Sequence, residues 1–445
     1  MSINRRRTLQ LGGAAALIGL SGGLARAENT GQESVGGQIL RQWYKVVLRL
    51  VRHTATYSPP VASRAFAYFG VAAYQAVASG STSLVSLAGQ LNGLKALPPR
   101  DPAKRYSDAV ITHCVMASAV KTFFGNTGPT GQRVMAAAEK KLKGDATRGL
   151  SADVVEASLA YGEALKAAII DWSMDDGGAV IENMGFPMAY DVSKEPGRWV
   201  PTSAIRQQQF PLLPKWGENR TFAMPNGTSC GLPPPPAYSE DPASNFYREA
   251  REVYDVTRSL TPDQTAIARF WSDDPMLSPT PPGHWMFIAN SILEDEKAGL
   301  DKTAEVMMRL GVAMADAFIG CWNAKYQYDL VRPVTYIKKV IDPKWEPLLI
   351  TPPFPEYPSG HSTQSGAAAA VLASIFGEAY AFTDRTHERD GMGVRNFASF
   401  TAAAEEAGIS RLYGGIHFRA AIEQGLAQGR CIAQHTIALR TRSST

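Results

Sequence analysis

Apolar residues return every three to four positions through most of this chain, the spacing that one face of an α-helix requires. The repeat is clear over Ile39–Ala55, Ala62–Ala78, Tyr106–Phe124, Gly131–Leu142, Ser151–Trp172 and Ala243–Arg258. It resumes over His284–Ile292, Thr303–Tyr326, Ser362–Phe376, Asn396–Leu412 and Arg419–Leu439. Strict alternation, the mark of a half-buried strand, is scarce. The pattern predicts an all-α protein. One long stretch breaks it: Asp175–Tyr238 is rich in Gly and Pro and ends in Pro233-Pro234-Pro235-Pro236. Such a run predicts an ordered loop wrapped over the surface. The break divides the chain into an N-terminal helical region over 28–175, a Pro/Gly-rich loop region over 176–240 and a C-terminal helical bundle over 241–445.

The first 27 residues read differently. A basic start, a short apolar run from Leu9 to Leu20 and a small-x-small end at Ala25-Arg26-Ala27 predict a signal peptide. Arg6-Arg7-Thr8-Leu9 points to the twin-arginine route, hence to a periplasmic or extracellular destination. The apolar run is too short to span a bilayer, and no second long one follows, so the mature chain is not expected to insert in a membrane. The four charges of this segment are all Arg; removing them from 45 basic residues leaves 41, against 41 acidic ones. A balanced mature chain has no basic footprint for nucleic acid.

With 45% hydrophobic and 19% charged residues, 445 positions suffice for a large core. Cys114, Cys230, Cys321 and Cys431 lie far apart without a CxxC pair, and reduced, buried thiols are the expectation, with any pairing left open. His53, His113, His284, His387 and His435 show no metal-ligand spacing to one another, and His387 falls in a charged stretch that predicts a solvated loop.

The candidate chemistry lies in the last third. In Pro352–Gly377, four prolines forbid helix before Ser359 and an alanine run favours it after His361, so Ser359-Gly360-His361 should open a helix. A helix start offers free N–H groups to an anion, Ser adds a donor, Gly lets the backbone approach, and His can move a proton. The plain alternative is an N-cap with a surface histidine. Upstream, Lys325 and Arg332-Pro333 are seven residues apart, a spacing that puts both cations on one face of a helix. Downstream, Gly414-Gly415 separates Ser410-Arg411 from His417. Three cations, one Ser-Gly-His turn and a second histidine suit a multiply charged tetrahedral oxyanion.

The ordered set Lys-x6-Arg-Pro, Pro-Ser-Gly-His and Ser-Arg-x5-His resembles the signature shared by type 2 phosphatidic acid phosphatases and vanadium-dependent haloperoxidases. It spans residues 325–417 without a gap. The resemblance implies two packed helical bundles with long irregular connecting loops. It also implies that Lys325, Arg332, Ser359, Gly360 and Arg411 bind the oxyanion. His417 then bonds the vanadium or attacks phosphorus, and His361 is the acid/base, with Lys325 polarising the bound substrate. Vanadate and phosphate share charge and shape, so phosphate can occupy the same site.

Pro353-Phe354-Pro355-Glu356-Tyr357 and Trp322 look like the haloperoxidases, where Phe354 and Trp322 form an apolar wall; both also suit ordinary core aromatics. The stretch Phe270–Trp285 is similar to the bacterial haloperoxidase branch, whose equivalent acid supports a cage arginine. Asp274 is the candidate for that support, with Asp273 second; a proline loop with solvated acids is the plain alternative. The implied function is oxidation of halide, iodide or bromide, by hydrogen peroxide to hypohalite on a vanadate cofactor, with a small organic acceptor possible in principle. The alternative is a secreted acid phosphatase working through a phosphohistidine at His417. A periplasmic oxyanion-binding protein ranks third, because binding has no need of two histidines. Oligomeric state is not legible.

Overall fold

Most helices form where the apolar period predicts them, and their ends follow local chemistry. The computed structural model describes residues 34–179, 190–203 and 210–443; the expected signal peptide over 1–27 lies outside these. The first group comprises α1 (Val35–Arg52), α2 (Pro59–Ala78), α3 (Asp108–Phe123), α4 (Pro129–Thr147) and α5 (Ala152–Ser173). The second comprises α6 (Asn245–Arg258), α7 (Pro262–Phe270), α8 (Thr280–Asp295), α9 (Leu300–Tyr328), α10 (Pro333–Val340), α11 (Gly360–Phe376), α12 (Phe400–Tyr413) and α13 (Arg419–Ile437). The fold is all-α, two packed helical bundles. Its one sheet among the described residues pairs β1 (Phe382–Asp384) with β2 (Arg395–Phe397), antiparallel.

Three departures from the periodicity have physical causes. Helix α8 begins at Thr280, ahead of the expected His284, because Pro281 and Pro282 fit a first turn whose N–H groups need no partner. Helix α7 is short and is set by a capping box between Thr261 and Gln264. Asn396 and Phe397 belong to β2, and α12 starts only after Ser399, whose side chain accepts from the Ala402 N–H.

Helix α9 is the axis of the molecule and is buried along most of its length. Helix α2 crosses it so closely that a Cβ on Gly70 would lie 2.9 Å from Met308 Cα, and one on Gly311 would lie 2.9 Å from the Phe66 carbonyl. Helices of both groups thereby share one core. A second close crossing places the site: a Cβ on Gly425 of α13 would meet the Ser359 carbonyl at 2.9 Å, and one on Gly429 would overlap the Thr363 carbonyl of α11. Only glycine permits this approach.

The described parts of the Pro/Gly-rich region are irregular apart from a short 3-10 turn at Trp216–Glu218, yet they are firmly held. Buried Asp316 of α9 accepts from the amides of Phe222, Ala223 and Met224 at 2.6, 2.8 and 2.8 Å. Cys230 in this region is disulfide-bonded to Cys431 of α13, which corrects the expectation of four reduced thiols; only Cys114 and Cys321 are free. Two cysteines 201 residues apart carry no local signal of pairing.

Candidate functional site

Lys325 sits in the last turn of α9. The helix stops at Asp329, which adopts the left-handed conformation (φ 49°), and Arg332 follows as the N-cap of α10. The two cations therefore do not share one helical face, as the seven-residue spacing implied; a turn brings them together. Ser359 is the N-cap of α11, which begins at Gly360. Arg411 lies near the end of α12, the chain reverses at Gly414-Gly415, and His417 lies just before α13.

These residues converge. His417 is buried, and its imidazole is held well below its ordinary pKa by burial and by the charges of Arg332, Lys325, Arg411 and His361. Its Nδ1 lies 2.9 Å from Glu356 Oε1, and its Nε2 lies 3.2 Å from Arg332 Nη1. A guanidinium can only donate, so Nε2 carries a lone pair and Nδ1 carries the proton given to Glu356. Glu356 Oε1 also accepts the Phe418 N–H at 2.8 Å. Burial pushes the Glu356 carboxyl up to about 8, against the pull of Arg332. A carboxylate that fixes the tautomer of a ligating histidine is a standard outer-shell device. Glu356 carries no role in the sequence reading; the available signal was an acid three residues before Ser359 in an approach loop otherwise made of prolines and aromatics.

Main-chain carbonyls, not acids, hold the three cations. Lys325 Nζ donates to Pro355 O at 2.8 Å, to Glu356 O at 2.9 Å and to Pro358 O. Arg332 donates to Phe354 O and Ile416 O at 2.8 and 2.9 Å. Arg411 donates to the carbonyls of Trp271 and Ala268 and to Ser410 Oγ. Burial lowers Lys325 to about 7 and each arginine to about 10.

Several polar atoms remain unused. Arg332 Nη2, a donor, and His361 Nε2, a ring nitrogen whose role follows its protonation, are buried without a partner among the described residues. Ser359 Oγ accepts from the Ser362 N–H and hydroxyl at 3.3 and 2.9 Å, which leaves its own proton free. His361 is held well below its ordinary pKa by burial and by Arg411. Orphaned donors around a neutral histidine fit an oxyanion bonded to His417, so the residues present suit vanadate or phosphate.

Trp322 and Phe354 stand against this cage, with ring centroids 5.0 Å apart. Lys325 Nζ lies 5.0 Å and Arg332 Cζ 4.8 Å from the Phe354 centroid. A Cβ on Gly360 would touch Trp322 at 3.6 Å, so the wall continues to the start of α11. Trp322 is anchored by its Nε1–H to Leu212 O at 3.0 Å.

The acids of the 270–285 stretch divide. Asp274 is half-buried and acts on Arg411 through charge alone, with no hydrogen bond between them. Asp273 is fully buried and faces two histidines. One of these is His387, which is buried and not in a solvated loop as its sequence context suggested. His284, His387 and Asp273 form the one His/Asp cluster of metal-ligand dimensions among the described residues, although their spacing in sequence predicts none.

Known proteins resemble the chain as follows. A family model described as the VCPO second helical-bundle domain matches residues 305–444. A solved bacterial vanadium-dependent iodoperoxidase is similar at 38% identity and TM-score 0.83, covering 92% of this chain and 97% of that one. A bacterial vanadium-dependent chloroperoxidase in its holo form is similar at 16% identity and TM-score 0.66, covering 87% and 94%. At that identity the likeness is one of fold. No curated protein matches the chain.

Proposed function

The chain belongs to the vanadium-dependent haloperoxidase superfamily, and on that premise we propose that it binds vanadate at His417 and oxidises iodide with hydrogen peroxide to hypoiodite. The observation that carries this reading is the convergence on His417 of Lys325, Arg332, Arg411 and His361, with Glu356 fixing the tautomer that puts the lone pair on Nε2, where Arg332 Nη1 now donates to it and a central atom would take its place. Lys325, Arg332, Arg411, Ser359 and the Gly360 amide would neutralise and orient the oxygens. Bound vanadate would act as a Lewis acid that polarises peroxide.

His361 supplies the proton chemistry. Its depressed pKa leaves it neutral near pH 7, so it can accept the proton of incoming peroxide. Halide gives two electrons to the O–O bond, one oxygen leaves as hypohalous acid and the other as water, and one proton is consumed. The apolar face of Trp322 and Phe354 suits a weakly hydrated anion, which supports iodide over chloride, as does the 38% identity to a bacterial iodoperoxidase.

We further propose export by the twin-arginine route to the periplasm or beyond. The Cys230–Cys431 disulfide supports an oxidising destination. Arg6→Lys with Arg7→Lys should then leave the protein folded in the cytoplasm. The function is tested by stripping and reloading vanadate, then assaying oxidation of iodide, bromide and chloride beside hydrolysis of a phosphate monoester. Vanadate-dependent iodide oxidation, suppressed by phosphate, is expected. Ester hydrolysis with no halide oxidation would replace this reading with a phosphohistidine phosphatase.

A further inference from the structure

A line of buried charge runs beside the cage and takes no part in the proposed chemistry. Asp384 Oδ2 lies 2.7 Å from His284 Nε2, and both oxygens of Asp273 lie 3.0 Å from His284 Nδ1. Asp273 Oδ1 lies 3.3 Å from His387 Nε2, and His387 Nδ1 lies 3.0 Å from Asp390 Oδ2. Arg52 of α1 closes the line on both Asp390 oxygens, at 2.9 and 2.6 Å. Asp384 is further held by the Thr386 N–H and hydroxyl at 2.9 and 2.7 Å.

The hydrogen-bond inventory sets the protons. An ionised carboxylate accepts and cannot donate, so a histidine with carboxylates at both nitrogens must donate from both and carry a charge. His284 and His387 are each in that position. Three carboxylates then meet two imidazolium rings and one guanidinium, and the line is neutral; its inner groups, Asp273, His284 and Asp384, are fully buried, while the Arg52–Asp390 end is partly open to solvent. Burial pushes His284 down, but Asp273 and Asp384 outweigh it and raise the ring to about 10. Asp273 holds its place in the left-handed region (φ 50°), a conformation disfavoured for any residue with a Cβ.

The line reaches the cage through the charge of Asp273, which acts on Arg411 and His361, and through one ring contact. The His284 ring lies flat on Trp271, with centroids 4.4 Å apart and planes 15° apart. The Trp271 carbonyl accepts from Arg411 Nη2 and faces His361, where it favours the protonated ring. The Trp271 indole also donates Nε1–H to Glu406 at 2.9 Å and has Phe270, Trp285 and Phe397 around it, with centroids 5.7, 6.1 and 6.2 Å away; of its ring neighbours His284 is the one stacked face to face at 4.4 Å.

We propose that His284 is a positioning residue: an imidazolium clamped between Asp273 and Asp384, stacked on Trp271, that fixes the carbonyl shared by Arg411 and His361. It touches no reacting atom. The inference rests on the peroxidase reading for the identity of the reaction, but on the oxyanion cage alone for its geometry.

The test uses the whole chain with ¹⁵N-labelled histidine. At pH 8 two rings, those of His284 and His387, should have both nitrogens protonated, and the His284 signal of that pair should vanish in His284→Gln. The variant should bind inorganic vanadate and inorganic phosphate at least tenfold more weakly and shift the His361 titration, with the far-UV spectrum retained. Should it fail to fold, Trp271→Phe and Trp271→Leu replace it: the aromatic variant keeps the stack and should bind vanadate within threefold of wild type, while the aliphatic one should lose tenfold or more. A neutral His284 at pH 8, unchanged anion affinity in folded His284→Gln, or a stoichiometric divalent cation lost on that substitution would each overturn the proposal. Absence of halide oxidation in wild type would remove the peroxidase reading and leave this one standing, because its readouts are protonation and anion binding.

Discussion

Glu356 offers the sharpest single perturbation, because it serves two buried donors with one oxygen. Glu356→Ala orphans the Nδ1–H of His417 and the N–H of Phe418, each within 2.9 Å of Oε1. An unsatisfied buried donor costs about 1–3 kcal/mol, so the fold should lose about 2–6 kcal/mol. The imidazole also loses the partner that fixes its tautomer, which lowers the affinity of a ligated centre by about 10–100-fold, or roughly 1.4–2.7 kcal/mol. Glu356→Gln behaves differently: the amide oxygen can take both donors, so stability should be largely kept. Its effect on affinity should depend on pH. Burial raises the carboxyl to about 8, so it is neutral below that value and charged above it. Gln should therefore imitate wild type at pH 6–7, and the affinity gap should open as pH rises through about 8. Equilibrium dialysis with inorganic vanadate at pH 6.5 and pH 9, beside thermal melts, measures both quantities. Wild-type vanadate affinity in Glu356→Ala at both pH values would refute the orienting role.

Four other outcomes are expected. His361→Ala should still bind vanadate, weaker by about 1–3 kcal/mol for a lost charge-assisted hydrogen bond, while kcat falls much further; equal losses in both would reassign the acid/base. His417→Ala should bring vanadate and phosphate affinities together, measured by competition dialysis; a preserved preference would mean that the cations alone discriminate. Unfolded, unreduced protein should titrate two thiols, and Cys230→Ser with Cys431→Ser should cost about 5 kcal/mol in denaturant melts, from the chain-entropy scaling for a bridge spanning 201 residues. Asp274→Ala should weaken vanadate binding less than tenfold, since only its charge reaches Arg411; loss of all binding would make it a direct support.

How much of this was legible in the sequence depends on the range of the interaction involved. Helix positions follow from contacts three and four residues apart, and the Ser359 N-cap follows from the Pro-to-Ala change around it. The grouping of Lys325, Arg332, Arg411 and His417 was carried by motif order, although the helical-face argument for Lys325 and Arg332 fails at Asp329, where the chain turns out of the helix. A left-handed Asp has no reliable local signal, while Pro333 just beyond it marks a restart rather than a continuation. Contacts across the fold were the least visible. His284 and His387 stand 103 positions apart and meet only because β1 brings Asp384 against α8, so a histidine in a charged stretch looked solvated. Cys230 and Cys431 are joined for the same kind of reason, through the loop that Asp316 gathers onto α9.

The way the cations are held explains what the cage can and cannot select. Lys325, Arg332 and Arg411 are all buried, and none of them has a salt bridge to an acid among the described residues. Seven carbonyls take their protons instead: those of Pro355, Glu356 and Pro358, of Phe354 and Ile416, and of Ala268 and Trp271. A carboxylate partner would have cancelled the field that a bound anion must feel; a carbonyl satisfies the donor and leaves the charge. The cost is visible in the lowered pKa values of all three, with Lys325 down to about 7. Any tetrahedral oxyanion of sufficient charge would relieve that strain, so a cage of this kind would attract vanadate and phosphate alike. On the vanadate reading proposed above, discrimination would fall to the one contact that depends on the central atom, the lone pair of His417 Nε2. Glu356 would matter there because its bond to Nδ1 keeps the lone pair on Nε2.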